Sequence, residues 1–64
     1  MKFSVALATY NGERYIREQL NSIVEQSHLP HELVVGDDGS SDGTMEILEE
    51  FRDHAPFAVH IHRN

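Results

Sequence analysis

The sequence contains no cysteine and no tryptophan. Without thiols there is neither a disulfide scaffold nor a thiolate metal site, and such a chain is compatible with a reducing compartment. Proline occurs twice and glycine four times, and no internal repeat or low-complexity segment is present. Basic residues are scarce: five Lys plus Arg stand against eleven Asp plus Glu, for a formal net charge of −6 and a pI near 5.1. That balance argues against a job of neutralising phosphates, whether of nucleic acid or of anionic lipid, and no nucleic-acid partner is expected. Long apolar runs are missing too. The longest is Val5-Ala6-Leu7-Ala8, too short to span a membrane, and Met1-Lys2-Phe3 ahead of it makes no secretory signal, so the mature chain is expected to begin at Met1. What remains is 64 residues, 39% of them hydrophobic. That is enough for one small core with a net stability of roughly 3–5 kcal/mol.

The apolar residues are arranged in alternating periods. Phe3 to Ala8 is short, apolar and closed by the polar break Thr9-Tyr10-Asn11-Gly12, which predicts a strand buried on both faces. From Glu13 to Gln26, Ile16, Leu20, Ile23 and Val24 form one helical stripe, with Asn11 as its N-cap. The helix must stop ahead of Leu29-Pro30, because proline disfavours the α conformation in the residue before it. Glu32-Leu33-Val34-Val35-Gly36 reads as a second strand, and Asp37-Asp38-Gly39-Ser40-Ser41-Asp42-Gly43 as a loop. A second helix is predicted from Thr44 to Asp53, carrying Met45, Ile47, Leu48 and Phe51 inward and capped by Asp42 or Ser41. After Pro56, Phe57 to His62 reads as a third strand with Phe57, Val59 and Ile61 on one face.

Strand, helix, strand, helix, strand at these spacings predicts an α/β fold: a three-stranded parallel βαβαβ sheet of Rossmann-like type, in the order 3-2-1. The outer edge of strand one, and one sheet face, are expected to lack a partner, so residues 1–64 read as a truncated half-domain. Ligands of open parallel sheets sit beyond the carboxyl ends of the strands. Two polar loops meet there, Thr9 to Gly12 and Asp37 to Asp42. Tyr10 offers a ring to stack on a flat heterocycle, and Asp38 offers an acceptor for a ring N–H or a ribose hydroxyl. Spacing equally allows a structural reading, with Tyr10 packed on the first helix and the acidic loop capping the second.

Other chemistries fit less well. Asp38, Ser40, Asp42, Gly43 and Glu49 fall at positions 1, 3, 5, 6 and 12 of a calcium-binding EF-hand loop. Such a loop must be entered from a helix, whereas Leu33-Val34-Val35 is β-branched and follows a proline. A dinucleotide site would need Gly-x-Gly-x-x-Gly after strand one, where Thr9-Tyr10-Asn11-Gly12 stands. A phosphoacceptor receiver would need its acidic pair at that same place. His60 and His62 share a strand face, but without further ligands at fixed spacing they make no zinc site. They are expected to face solvent or a neighbour outside these residues, while Glu46, Glu49, Glu50 and Asp53 on the second helix form a solvated face.

The run Val5-Ala6-Leu7-Ala8-Thr9-Tyr10-Asn11-Gly12, then Leu20 and Ser22-Ile23-Val24-Glu25-Gln26, then Glu32 through Asp37-Asp38-Gly39-Ser40-Ser41-Asp42-Gly43-Thr44 resembles the opening of family-2 glycosyltransferases. The resemblance covers essentially the whole chain and rests on two separated motifs in the right order. Leu7 to Gly12 with Glu18-Gln19-Leu20 is similar to bacterial enzymes that add rhamnose to surface polysaccharide. Ala8 stands where the family commonly has proline, which changes the exit of the strand more than its chemistry.

The resemblance implies the GT-A nucleotide-diphospho-sugar transferase fold, of which these residues are the N-terminal nucleotide-binding half, and a reaction that inverts the anomeric centre. It implies that Tyr10 lies against the base, with Thr9 and Asn11 shaping the loop beneath. Asp38 accepts the imide N–H of uracil or thymine, Asp37 lies beside it and helps to hold the loop and the nucleoside, and Gly39 permits close backbone approach. Ser40, Ser41 and Asp42 turn and cap the chain. The implied partners are a UDP- or dTDP-type nucleoside-diphosphate sugar and a glycan acceptor, with a divalent cation, Mg or Mn, on the diphosphate. The family holds that cation with an Asp-x-Asp motif, which these residues lack. The cation ligands and the catalytic base are therefore expected beyond Asn64, no catalytic residue is expected within the chain, and the isolated chain is expected to be inert. The implied setting is the cytoplasm, at the inner membrane face in the longer protein. The open strand edge is a surface through which copies could pair. The competing class is a non-catalytic binding module such as the calcium-loop domain.

Overall fold

The computed structural model describes residues 2–64. Five elements alternate: β1 Ser4–Thr9, α1 Ile16–Val24, β2 Glu32–Asp37, α2 Thr44–His54 and β3 Ala58–Arg63. The strands form one sheet in the order β1-β2-β3, all parallel. The register pairs Thr9 with Asp37 and Asp37 with Arg63, so the three strands end level at their carboxyl edge.

Both crossovers pass over the same sheet face. Ile16, Leu20 and Ile23 of α1 and Ile47 and Leu48 of α2 form one core with Leu33 and Val35 of β2 and Val59 of β3, supported by Val5, Leu7, Phe51, Phe57 and Ile61. Leu33, Val35 and Leu48 are wholly enclosed. Phe51 and Phe57 meet at 6.0 Å between ring centres, tilted by 56°, a favourable aromatic geometry at the corner where α2 turns into β3.

The expectation that strand one is buried on both faces is corrected. Val5 and Leu7 are half-buried against the helices, while Ser4, Ala6 and Ala8 are exposed on the other face. Ala6 and Ala8 are apolar but small, and in a 3.6- or 2-period reading they count like larger residues although they carry little area to bury. The open face continues through Val34 and Gly36 to His60 and His62, both exposed as expected. At its amino end the Ser4 hydroxyl donates to Glu32 Oε2 at 2.6 Å and His60 Nε2 lies 3.2 Å from Oε1. The Ser4 bond is the leading reason that the Glu32 carboxyl is held below the usual range.

Element ends also differ. The first helix starts at Ile16 rather than Glu13, because the Gly12 carbonyl accepts both Tyr15 N–H at 2.9 Å and Ile16 N–H at 2.8 Å, making a turn before the helix. Asn11 is not its cap, and Val24 is exposed. The second strand runs one residue further, to Asp37, and the third is Ala58–Arg63. Asp42 serves the second helix from one position outside the N-cap Gly43, through the Thr44 N–H at 3.0 Å, while Ser41 makes no such bond. Glu46, Glu49, Glu50 and Asp53 lie exposed along α2. No described helix is long and apolar enough to cross a membrane.

Candidate functional site

The carboxyl edge of the sheet carries a dense set of hydrogen bonds between the two loops. Its centre is Asp37, the last residue of β2, which has no accessible surface. Oδ1 accepts the Thr9 hydroxyl at 2.7 Å and the Ser40 hydroxyl at 2.6 Å, and Oδ2 accepts the Ser40 N–H at 2.9 Å. The Asp37 backbone is engaged as well, its carbonyl accepting Asn64 N–H at 2.8 Å. Burial pushes this carboxyl up, but the bonds from Ser40 and Thr9, aided by the charge of Arg63, outweigh it and hold Asp37 below the ordinary carboxylate range. Among the described residues no buried side-chain polar atom lacks a partner.

A second tier reaches across from the first loop. Asn11 adopts φ +48°; its N–H donates to Ser40 Oγ at 2.8 Å and its Oδ1 accepts Ser41 N–H at 2.8 Å. Asp38 N–H donates to the Thr9 carbonyl at 2.9 Å. Asp42 takes the Glu13 N–H at 3.2 Å on Oδ2 and the Thr44 N–H and hydroxyl on Oδ1. The Thr44 hydroxyl is the leading cause that lowers the Asp42 pKa.

Above this locked layer stand the two predicted ligand-facing side chains. Tyr10 and Asp38 follow directly on the paired residues Thr9 and Asp37, so they leave neighbouring strand ends about 4.8 Å apart. Tyr10 is 65% exposed and Asp38 is exposed, and among the described residues neither side chain has a hydrogen-bond partner. The structural alternative, a Tyr10 packed on the first helix, is thereby corrected. Gly39 sits beside them with φ +82° and nothing within 4 Å of a built Cβ. Gly39→Ala is expected to cost about 1–2 kcal/mol through backbone strain alone, read as a lower urea midpoint.

The predicted residues divide into two groups. Tyr10, Asp38, Gly39 and Asn11 are at the surface, whereas Thr9 is 7% exposed and Asp37 not at all. Both side chains of the buried pair point into the molecule, so Asp37 holds the loop but presents no oxygen to a nucleoside. The sequence reading took Ser40 as a turn residue; the structure adds that its hydroxyl joins both loops. The available signal was a hydroxyl three residues after an aspartate in a Gly-containing turn.

Charge limits what this edge can bind. The loops 9–12 and 37–44 contain three aspartates and no basic residue. The Glu13 carboxylate also covers the start of α2, 2.7 Å from where a Cβ on Gly43 would stand, so that helix end is occupied by the protein's own anion. A diphosphate here needs a cation, but among the described residues no three His, Asp or Glu side chains are grouped to hold one. The residues present do not fit that ion. The calcium-loop reading fails because the loop is entered from β2 rather than from a helix.

Residues 4–64 match the glycosyl transferase family 2 profile. The chain belongs to this family. Among curated family-2 relatives, the dTDP-rhamnosyl transferase RfbG of Shigella flexneri is 46% identical over 86% of the chain and 19% of its own length. The poly(ribitol-phosphate) β-N-acetylglucosaminyltransferase TarS of Staphylococcus aureus (strain Mu50) is 50% identical over 81% of the chain and 9% of its own length. The crystal structure of S. aureus TarS 1-349 in complex with UDP-GlcNAc superposes on the whole chain with a TM-score of 0.85 at 42% identity, covering 18% of that chain. The complex with UDP gives 0.84. The βαβαβ sheet is thus the GT-A arrangement of a family-2 enzyme, and the chain spans a fifth or less of the length of these relatives.

Proposed function

We propose that this chain is the donor-nucleotide-binding part of an inverting glycosyltransferase, which takes a sugar from a UDP- or dTDP-type donor and passes it to a glycan acceptor. One observation carries the reading: an exposed aromatic and an exposed carboxyl stand side by side at the carboxyl edge, on loops locked from beneath by a satisfied buried aspartate. Tyr10 stacks on the pyrimidine, and Asp38 accepts its imide N–H. Asn11 and Gly39 shape the floor, while Thr9 and Asp37 hold it from inside. The reading gains support from TarS, whose crystal structures are complexes with UDP and UDP-GlcNAc, and from RfbG, named for a dTDP-rhamnosyl donor.

The division of labour follows from charge. The nucleoside end needs stacking and one acceptor, which this edge supplies. The diphosphate end needs a divalent cation and the acceptor hydroxyl needs a base, which we assign to residues outside the chain. The same reading implies a cytoplasmic setting, at the inner membrane face, for the longer protein.

NMR titration with UDP, dTDP and ADP tests the proposal. UDP and dTDP are expected to shift the resonances of Tyr10 and Asp38, with ADP giving a smaller response because adenine lacks the imide donor. Indifference of both residues to UDP sinks the reading, and sugar transfer by the 64-residue chain alone would overturn the division of labour.

A further inference from the structure

We propose that Ser40 is a positioning residue for the nucleotide base, acting through the peptide unit between Tyr10 and Asn11; this rests on the nucleotide-binding reading. Ser40 is 6% exposed and too deep to serve as a ligand contact. Its hydroxyl donates to Asp37 Oδ1 at 2.6 Å and accepts Asn11 N–H at 2.8 Å, and its own N–H donates to Asp37 Oδ2 at 2.9 Å. One oxygen atom therefore joins the buried carboxylate of the second loop to the backbone of the first.

The amide that Ser40 grips belongs to a planar unit whose carbonyl is that of Tyr10. Fixing the Asn11 N–H direction fixes that plane, and with it the ψ angle of Tyr10 and the course of the chain out of β1. Asn11 itself sits at φ +48°, a region that asparagine tolerates at a cost and keeps only when its surroundings enforce it. Two bonds from the second loop enforce it: Ser40 Oγ on the Asn11 N–H and Ser41 N–H on Asn11 Oδ1. Tyr10, 65% exposed, is held little by packing of its own. Its orientation is consequently set from below, by the conformation of the residue that follows it. The same serine fixes the second loop, so the ring and the Asp38 carboxyl are held in one frame before any base arrives. Such pre-organisation lowers the ordering cost of binding.

The test compares UDP binding by the wild-type chain with that by Ser40→Ala and Ser40→Thr, using titration calorimetry, together with the NMR signal of the Asn11 amide. Ser40→Ala is expected to bind UDP about tenfold more weakly and to lose the hydrogen-bonded shift of the Asn11 amide while the sheet resonances persist. Ser40→Thr keeps the hydroxyl and is expected to restore both. Failure of the wild-type chain to bind UDP defeats the nucleotide reading itself. Wild-type binding matched within about twofold by Ser40→Ala overturns the positioning role alone. Equal impairment of the Ala and Thr variants with the Asn11 amide unchanged also overturns it, because packing rather than the hydroxyl would then be responsible. If Ser40→Ala does not fold, hydrogen exchange at the wild-type Asn11 amide decides: protection supports the proposal, and exchange at the free-peptide rate overturns it.

Discussion

Asp37→Ala is expected to leave most of the chain unfolded in water at room temperature. The substitution removes the acceptor of three donors at once: the Thr9 hydroxyl, the Ser40 hydroxyl and the Ser40 N–H. These lie in a site from which the Asp37 side chain and Thr44 are wholly enclosed and where Thr9 and Ser40 retain only 7% and 6% exposure. Each stranded buried donor costs about 1–3 kcal/mol. The hydroxyls can swing to other partners, but the backbone N–H cannot. A chain of this size has a margin of roughly 3–5 kcal/mol in all, so even a partial loss moves the equilibrium substantially. Asp37→Asn separates charge from shape. Its oxygen still accepts the two hydroxyls, while its NH₂ faces the Ser40 N–H, donor against donor, and an intermediate loss is expected. Far-UV circular dichroism with urea titration measures both. A wild-type midpoint in Asp37→Ala would show that the carboxylate is not what holds the edge together.

The same group predicts the direction of acid sensitivity. The folded pKa of Asp37 is depressed, as are those of Glu32 and Asp42, so at these three carboxyls the unfolded chain binds more protons than the folded one. The resulting stabilisation is fully present above the unfolded carboxylate values, about 4, and is lost as the pH falls through the folded ones. Urea midpoints are expected to hold between neutral pH and about 5 and then fall, with Asp37→Asn showing a shallower fall than wild type. An unchanged slope in that variant would remove Asp37 from the explanation.

These two results concern an aspartate that sequence periodicity placed in a loop. The elements themselves were legible because Ile16, Leu20 and Ile23 repeat at helical spacing and Leu33, Val35, Val59 and Ile61 repeat at strand spacing, and those residues form or flank the core. Parallel order followed from the alternation of strand and helix, and the meeting of the two loops followed from parallel order. The resemblance gave Asp37 a loop-holding role, but its burial escaped because a carboxylate at a strand end breaks the apolar pattern, and nothing local shows that Thr9 and Ser40 will satisfy it. Asn11 was misplaced for a similar reason. Its partner, the Ser41 N–H, lies thirty positions away in sequence, so the local rule offered the nearer helix. Ala6 and Ala8 were read by polarity, whereas what decides their exposure is that both helices cross the opposite face. The candidate site was therefore visible as a pair of exposed tools, and invisible as the buried frame beneath them.

Asp38→Ala is expected to weaken UDP binding by on the order of a hundredfold, and Tyr10→Ala by roughly tenfold or more, with little change in fold. The contrast with Asp37 is the point of the experiment, since the two acids are adjacent in sequence. Asp38 is exposed and among the described residues its side chain serves no other, its backbone N–H alone being tied to Thr9. Surface substitutions of this kind usually stay within about 0.5 kcal/mol of wild-type stability. The binding loss is larger because a base imide N–H, shielded by the stacked ring and deprived of its acceptor, is left unpaired, and that penalty adds to the loss of the bond itself. Asp38→Asn sharpens the assignment: its side-chain oxygen can still accept, so a smaller loss than in Asp38→Ala is expected. Calorimetric titration with UDP measures affinity and urea unfolding measures stability on the same samples. On the proposed reading Tyr10 and Asp38 grip one base from its face and its edge, so each contact orders the base for the other. The double variant should then lose less than the two single losses combined. Strict additivity would mean that neither contact orders the base for the other, and unaltered UDP affinity in both single variants would place the nucleotide elsewhere on the molecule.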